Sequence, residues 1–281
     1  MFSTAICLMI KNDQDYLQEW LDHHREIGFN HFYIYDNEST PVYTNLGDDV
    51  TIIPWGENQY FEPIFPNKDP NQYNDMILGR MELSELITTH WPWYPHRYTK
   101  QYKAYQHCLN NYGPNHTWMA FIDSDEFINL GVNENLVDLL NEFNEHGQIL
   151  MQWRTFSSSG HLTKQPKLKE AYTEWFPDYE YKPIIQPKKT YAVTNIHVFT
   201  MYPPYRAVTE KKEVREAYKN GHSSERIWVN HYWGKSRQDF EETKLKRKGG
   251  VTQKVDSEYE QKWDFIEQRA TYHMKKYIYN K

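Results

Sequence analysis

The opening stretch Thr4-Ala-Ile-Cys-Leu-Met-Ile10, halted by Lys11-Asn12-Asp13, is an unbroken apolar run. Its length and polar borders predict a strand buried on both faces. The period then changes. Tyr16, Leu17, Trp20, Leu21, His24 and Ile27 recur at three- and four-residue spacing, which predicts an amphipathic helix. Asn12 or Asp13 is the expected N-cap of that helix, and Gly28 its expected C-terminal stop. His31-Phe-Tyr-Ile-Tyr35 reads as a second strand ending at Asp36-Asn37, and Val50–Pro54 as a short third one. Strand, helix and strand in this order form a βαβ unit. The expected fold class is therefore α/β, with an open, mostly parallel, Rossmann-like sheet flanked by helices.

Beyond this unit the pattern degrades over residues 55–98, where Pro63, Pro66, Pro70, Pro92 and Pro95 interrupt it. This stretch is expected to be an insertion closing over a site, with one helix over 73–90. Helical periodicity returns at 99–112. Thr117-Trp-Met-Ala-Phe-Ile122 reads as a strand delivered straight into Asp123-Ser124-Asp125-Glu126. A helix over 135–143 and a strand over 148–153 follow. Residues 154–189, with four prolines, read as loops, 191–200 and 227–232 as strands, and 236–248 and 257–278 as helices. The expected organisation is a catalytic domain over 1–234, carrying the insertion, with a C-terminal helical extension over 235–281 packed on it.

Composition narrows the function. A formal charge of −6 argues against a nucleic-acid partner. Aromatic residues make up 16% of the chain, too rich in packing groups for a disordered protein. Cys7 and Cys108 are the only cysteines, which excludes a disulfide framework and suits a reducing compartment. No apolar run is long enough to span a bilayer, and the N-terminus lacks the basic region of a signal peptide. The expectation is a cytoplasmic protein that at most rests on the inner face of a membrane. Residues 235–281 hold 12 Lys or Arg against 8 Asp or Glu, a net +4 that leaves −10 for the rest. In the last helix Tyr259, Trp263, Ile266, Ala270, Met274 and Ile278 form one apolar stripe, which either packs on the core or meets anionic lipid.

The sharpest chemical signal is Asp123-Ser124-Asp125. In open α/β sheets ligands bind beyond the carboxyl ends of the strands, and two carboxylates there can share a hard divalent ion, Mn²⁺ or Mg²⁺, that neutralises a diphosphate. The plainer alternative is an acidic turn that caps the next helix. His231, in Asn230-His-Tyr-Trp-Gly-Lys235-Ser236, is the candidate third ligand, against the alternative of a histidine packed among aromatics. Lys235, Arg237, Lys244, Lys246, Arg247 and Lys248 follow it and suit phosphate oxygens, although interleaved acids also suit a solvated helix face.

These pieces resemble a family. Lys11-Asn12-Asp13, Leu17-Gln-Glu-Trp20 and His24 are similar to the opening of the family 2-like and family 92 glycosyltransferases, with Asp13 where a Glu is usual. Tyr35-Asp-Asn-Glu-Ser39, Gln101 to Cys108, Trp118 and Asp123-Ser-Asp-Glu-Phe127 resemble the segments that follow. So do Phe156-Ser-Ser-Ser-Gly-His161, Pro187, Ile196-His197, Asn230-His-Tyr with Lys235-Ser236, Phe240, Lys244 and Arg247 with Gly249. The 55–98 insertion has no counterpart in that pattern. The resemblance implies a GT-A fold, a nucleotide-sugar donor (a UDP-hexose such as UDP-galactose or UDP-glucose), a glycan or glycolipid acceptor and inversion at the anomeric carbon. It places Asp123 and Asp125 on the metal and donor, with His231 as last metal ligand. Asn12, Asp36 and Asn37 fall where base and ribose would bind, and Gln101, Lys103 and Lys235 become donor contacts. Surface polysaccharide, lipopolysaccharide or other glycan synthesis is the implied setting. An inverting transfer needs a carboxylate to take the acceptor's proton. Glu174 is the expected base, chosen from Glu170, Glu174, Asp178 and Glu180 for its aromatic flanks. Trp91, Trp93 and Tyr94 are expected to line an acceptor groove. The rival readings are a carbohydrate-binding protein on a degenerate transferase fold and a haloacid-dehalogenase-type phosphatase. In the phosphatase the Asp-x-Asp motif opens the fold, whereas here it follows a βαβ unit.

Overall fold

Thr4–Ile10 forms β1, buried along almost its whole length and paired on one side with residues 31–36 and on the other with 118–121. The structure is a computed structural model that describes residues 2–56, 99–214, 223–246 and 256–279. The helix expected over 73–90, the aromatics Trp91, Trp93 and Tyr94, and Arg247 and Lys248 lie outside the described residues.

The chain runs β1, α1 (Leu17–Glu26), β2 (His31–Asp36), β3 (Val50–Pro54), α2 (Lys100–Asn111), β4 (Trp118–Phe121) and β5 (Glu126–Leu130). It continues through α3 (Leu136–Glu142), β6 (Gln148–Phe156), α4 (Leu168–Ala171), β7 (Trp175–Ile185), β8 (Thr190–Asn195), β9 (Val198–Met201) and β10 (Ala207–Val208). β11 (Ile227–His231), α5 (Arg237–Phe240), a π-helical turn over Glu241–Leu245 and α6 (Asp256–Tyr279) close it. The main sheet has the order β3-β2-β1-β4-β7-β6-β11-β5, with β10 beside β6. β3, β2, β1 and β4 are mutually parallel, and β7 runs antiparallel to both β4 and β6. The half built from β1 to β4 is the Rossmann-like arrangement expected of the class, and the crevice between the diverging ends of β1 and β4 is its natural ligand position.

The stripe on α1 buries Tyr16, Leu17, Trp20, Leu21 and His24 as its spacing requires, each large apolar group contributing about 1.5–3 kcal/mol. Trp20 also donates its indole N–H to the Glu126 carbonyl at 2.7 Å, tying α1 to the acidic turn. The helix begins at Tyr16 without a side-chain cap. Asn12 and Asp13 are engaged elsewhere: Asn12 accepts from the Thr40 N–H and Asp13 from Lys235. At the other end Gly28 has φ +111°, the left-handed conformation that a C-terminal glycine permits.

Three expectations fail for reasons of context. Residues 154–189 are loops only in part: 157–167 and 172–174 are irregular, but β6 continues to Phe156 and β7 fills Trp175–Ile185. β7 tolerates Pro177 and Pro183 because they face Arg154 and Leu150 of β6 where β4 is not yet paired. A missing N–H there breaks no second ladder. The strand expected over 191–200 is instead the hairpin β8–β9, turning at Ile196 and His197. Glu126 does not lead toward a helix but starts β5, which pairs antiparallel with β11.

Three histidines away from the acidic turn, His23, His24 and His116, are buried in neutral form. Burial pushes His23 and His116 down to about 4 and His24 well below the ordinary imidazole range. His24 Nε2 accepts the Ile128 N–H at 3.1 Å, a role imidazolium cannot fill. In the unfolded chain these rings protonate near pH 6.5, whereas in the folded one His23 and His116 do so only near 4, so the unfolded state binds more protons in between. Stability is expected to fall steadily as pH drops from 6.5 to 4, each pKa unit being worth about 1.4 kcal/mol. A melting temperature unchanged between pH 7 and 4.5 would contradict this reading.

Candidate active site

β4 ends at Phe121, and Asp123-Ser124-Asp125 forms the turn that leads into β5. The turn is held from three sides by lysines. Lys182, on β7, is fully buried and reaches Asp123 Oδ2 at 2.7 Å and Glu126 Oε2 at 3.4 Å. Lys244, from the π-helical turn, reaches Asp125 Oδ2 at 2.8 Å. Lys235 has φ +56° and reaches Asp13 Oδ1 at 3.0 Å. Asp13, at the end of β1, in turn accepts from the Ser124 hydroxyl at 2.5 Å. Asp13 therefore couples the end of β1, the acidic turn and the segment after β11.

The charges shape one another. Burial alone would raise Asp125, but Lys244, His231 and Lys235 hold its carboxyl below the usual carboxylate range. Burial is the larger influence on Glu126 and pushes it well up, with Asp123 and Asp125 adding to the rise against Lys182. His231, at the end of β11, is pushed down to about 3, chiefly by burial. Its Nε2 lies 3.8 Å from Asp125 Oδ1, and its Nδ1 has no hydrogen-bond partner. The nitrogen that faces the anionic Asp125 is Nε2, so Nε2 and that carboxylate, not the orphaned Nδ1, are the donors of the kind a divalent ion takes. Asp123 is more committed, since Gln101 and Lys182 already bond its two oxygens. Among the described residues no three His, Cys, Asp or Glu side chains converge as a ready metal cluster.

The structure brings Asp123, Asp125, His231, Gln101 and Lys235 together. Gln101 Nε2 reaches Asp123 Oδ1 at 2.5 Å, and Lys103 lies on the same helix, α2. Asn12, Asp36 and Asn37 sit side by side at the ends of β1 and β2. The Asn37 N–H bonds the Ile10 carbonyl at 2.8 Å, and the Ser39 N–H bonds Asp36 Oδ1 at 3.0 Å. Glu174 precedes β7 and is held through its backbone, its N–H on Ser159 Oγ at 3.0 Å. Glu170 pairs with Lys167 on the surface. Asp178 is better placed: its Oδ2 accepts from the Thr155 hydroxyl at 2.8 Å, and Thr155 is the register partner of His231.

Sequence reading did not find Lys182 or the roles of Asp13 and Glu126. Lys182 lies in a proline-broken stretch with no periodicity to flag it. Only the pairing of Ile184 with Ala120 carries it to the end of β4.

The model of Glycosyltransferase family 92 matches residues 2–263. A glycosyltransferase family 92 protein of Oryza sativa subsp. japonica is 28% identical over 169 residues, covering 59% of this chain and 23% of that protein. One from Ricinus communis is 24% identical over 236 residues, covering 81% of this chain and 35% of that protein. The chain thus spans about a quarter to a third of the length of these relatives. The crystal structure of HddC from Yersinia pseudotuberculosis aligns over 74% of this chain and 90% of that one, with a TM-score of 0.35 and 8% identity, too loose a likeness to bear on function.

Proposed function

The chain belongs to glycosyltransferase family 92, and on that premise we propose that it moves a sugar from a nucleotide-sugar, a UDP-hexose such as UDP-galactose or UDP-glucose, to a hydroxyl of a glycan acceptor, with inversion. The observation that carries the reading is the convergence of Asp123, Asp125, His231 and the lysines Lys182, Lys235 and Lys244 at the end of β4. A site with this many fixed cations and anions is suited to a diphosphate, whose charge grows as the glycosidic bond breaks.

Asp125 and His231, with Asp123 beside them, would hold Mn²⁺ or Mg²⁺, and the bound ion would supply Lewis-acid neutralisation of the leaving diphosphate. The chain's own groups do the rest. Lys182 and Gln101 hold Asp123 in one orientation. Lys244 and Lys235, paired with Asp125 and Asp13 in this structure, are the cations that would turn to phosphate oxygens, and Lys103 stands on the adjoining helix. Asn12, Asp36 and Asn37 form the wall where base and ribose would lie.

For the proton of the acceptor hydroxyl, the pairing of Asp178 with Thr155 next to His231 favours Asp178 over Glu174. Asp178→Asn is expected to lower kcat by about 10²–10⁴-fold, the usual worth of a positioned base, with little change in donor affinity. Glu174→Gln is expected to stay within a few-fold of the parent. The reverse order of effects, read in the same transfer assay, would return the role to Glu174.

The reading as a whole is tested by thermal stabilisation with a panel of nucleotide-sugars, with and without Mn²⁺. A donor that binds at a hundredfold over its Kd adds about 2.7 kcal/mol of stability. No shift with any nucleotide-sugar, and no transfer or hydrolysis, would leave the carbohydrate-binding alternative in place.

A further inference from the structure

The apolar stripe of α6 is covered. Tyr259, Trp263, Ile266 and Ala270 pack against Phe176, Trp233 and Phe240. A Cβ on Gly234 would meet the Trp263 ring at 2.6 Å, so this contact is close enough to require glycine. The helix is also pinned by charge. Glu260 takes Arg237 at 2.6 Å, and Glu267 accepts from the Ser158 N–H at 2.6 Å and its hydroxyl at 3.0 Å. Of the two alternatives for the stripe, packing holds for these four residues; Met274 is only partly buried and the Ile278 side chain lies outside what is described.

A flank of the same helix, at the edge of the covered stripe, has an unusual composition. Phe265, Arg269, Tyr272 and Lys276 recur at four, three and four residues and fall on one outward line. Phe265 is 52% exposed and Tyr272 69% exposed, while Phe265 meets the buried Phe176 edge-on and Arg269 lies over both rings, its guanidinium carbon 5.3 Å from the Phe265 centroid and 5.5 Å from that of Phe176. Lys275 flanks the line and is exposed. Among the described residues Arg269, Lys275 and Lys276 make no salt bridge, and no acidic residue follows Glu267 in the chain. An ordinary solvent face mixes both signs and hides its large aromatics. This one offers cations and half-exposed rings together, on a helix held rigidly from behind.

We propose that the outward face of α6 over Phe265, Arg269, Tyr272 and Lys276 docks on an anionic lipid bilayer. Charge complementarity selects the partner: the face is cationic on a chain of net charge −6, so attraction is local and oriented. The aromatic rings sit at the headgroup level while the cations meet lipid phosphates. No helix among the described residues is long and apolar enough to cross a membrane, so the contact is lateral. The orientation also serves the proposed transfer, since α6 borders the segment after His231. The docking itself does not depend on that transfer.

The test uses the full chain without any nucleotide-sugar, so its outcome is separate from that of the transferase reading. Co-sedimentation is measured with vesicles of phosphatidylcholine, alone and mixed with phosphatidylglycerol, at low and high salt. Binding is expected only to the anionic vesicles and only at low salt. Each cation at such a surface strengthens partition about fivefold, so Arg269→Gln/Lys276→Gln is expected to bind about thirtyfold more weakly. Phe265→Ser/Tyr272→Ser is expected to weaken binding at unchanged charge. Phe265 and Arg269 also touch the buried Phe176, so a thermal melt accompanies each variant, and Lys275→Gln/Lys276→Gln provides a second charge variant that leaves those contacts in place. Negligible binding to both vesicle types at low salt would overturn the proposal. Binding unaffected by every variant would overturn it too, by moving the contact elsewhere. A dimer that these same substitutions dissolve would assign the face to a second copy of the chain instead.

Discussion

Asp125→Asn is expected to lower transfer by at least about 10²–10³-fold, the usual worth of one fixed group that stabilises developing charge, while the protein still folds. The substitution is isosteric and removes a charge at the centre of the site. Asp125 is not the solvent-facing group that its position in a turn suggests: it is 7% exposed and bonded to Lys244 at 2.8 Å. Losing that anion leaves Lys244 unpaired. Its side chain is 26% exposed, however, so the ammonium can turn toward water. The stability cost is therefore expected to be modest, about 1–3 kcal/mol. Transfer is measured beside a thermal melt, and full activity in the folded variant would remove Asp125 from the mechanism.

Lys182→Met has the largest expected effect on stability. The Lys182 ammonium is wholly buried between Asp123 and Glu126, and its charged form is held in place against the cost of burial by those two carboxylates. Removing one partner of a buried ion pair costs about 3–5 kcal/mol, because the remaining charge is left without a counter-ion. The deficit should depend on pH with a definite sign. Burial already raises Glu126, so the folded state holds that proton more tightly than the unfolded chain does. Stability tied to such a group is present below the ordinary carboxylate pKa and is lost as pH rises toward the raised value. Without Lys182 the raised value climbs further. The variant should therefore lie closer to the parent at pH 5.5 than at pH 8 in denaturant unfolding. A deficit under about 1 kcal/mol, or one that does not change with pH, would mean that water or a rearranged neighbour replaces the lysine.

Local chemistry wrote much of this protein legibly. β1 and β3 have the bounds their apolar runs predict, and α1 buries the faces its spacing marks. Gly28 ends α1, Asn135 caps α3 through two backbone N–H groups, and the acidic turn follows a strand. Each of these depends on residues within a few positions of one another, where periodicity and capping act. Asp123, Asp125, His231 and Lys235 stood out from their own local motifs, and the family resemblance added Gln101.

What only the tertiary structure decided depends on partners far apart in the chain. β7 is a strand despite two prolines because β6 and β4 supply its edges, and its pairing carries Lys182 to Asp123, 59 residues away in sequence. Asp13 meets Lys235 across 222 residues, so no local pattern could turn it from a helix cap into a brace for the acidic turn. The two faces of α6 divide for the same reason. Its periodic stripe is apolar in either setting, and only the presence of Phe176, Trp233 and Phe240 behind it shows which face is covered and which meets solvent. Short-range preferences are set by neighbours in the chain, whereas burial and ion pairing are set by which surfaces the finished sheet brings into contact.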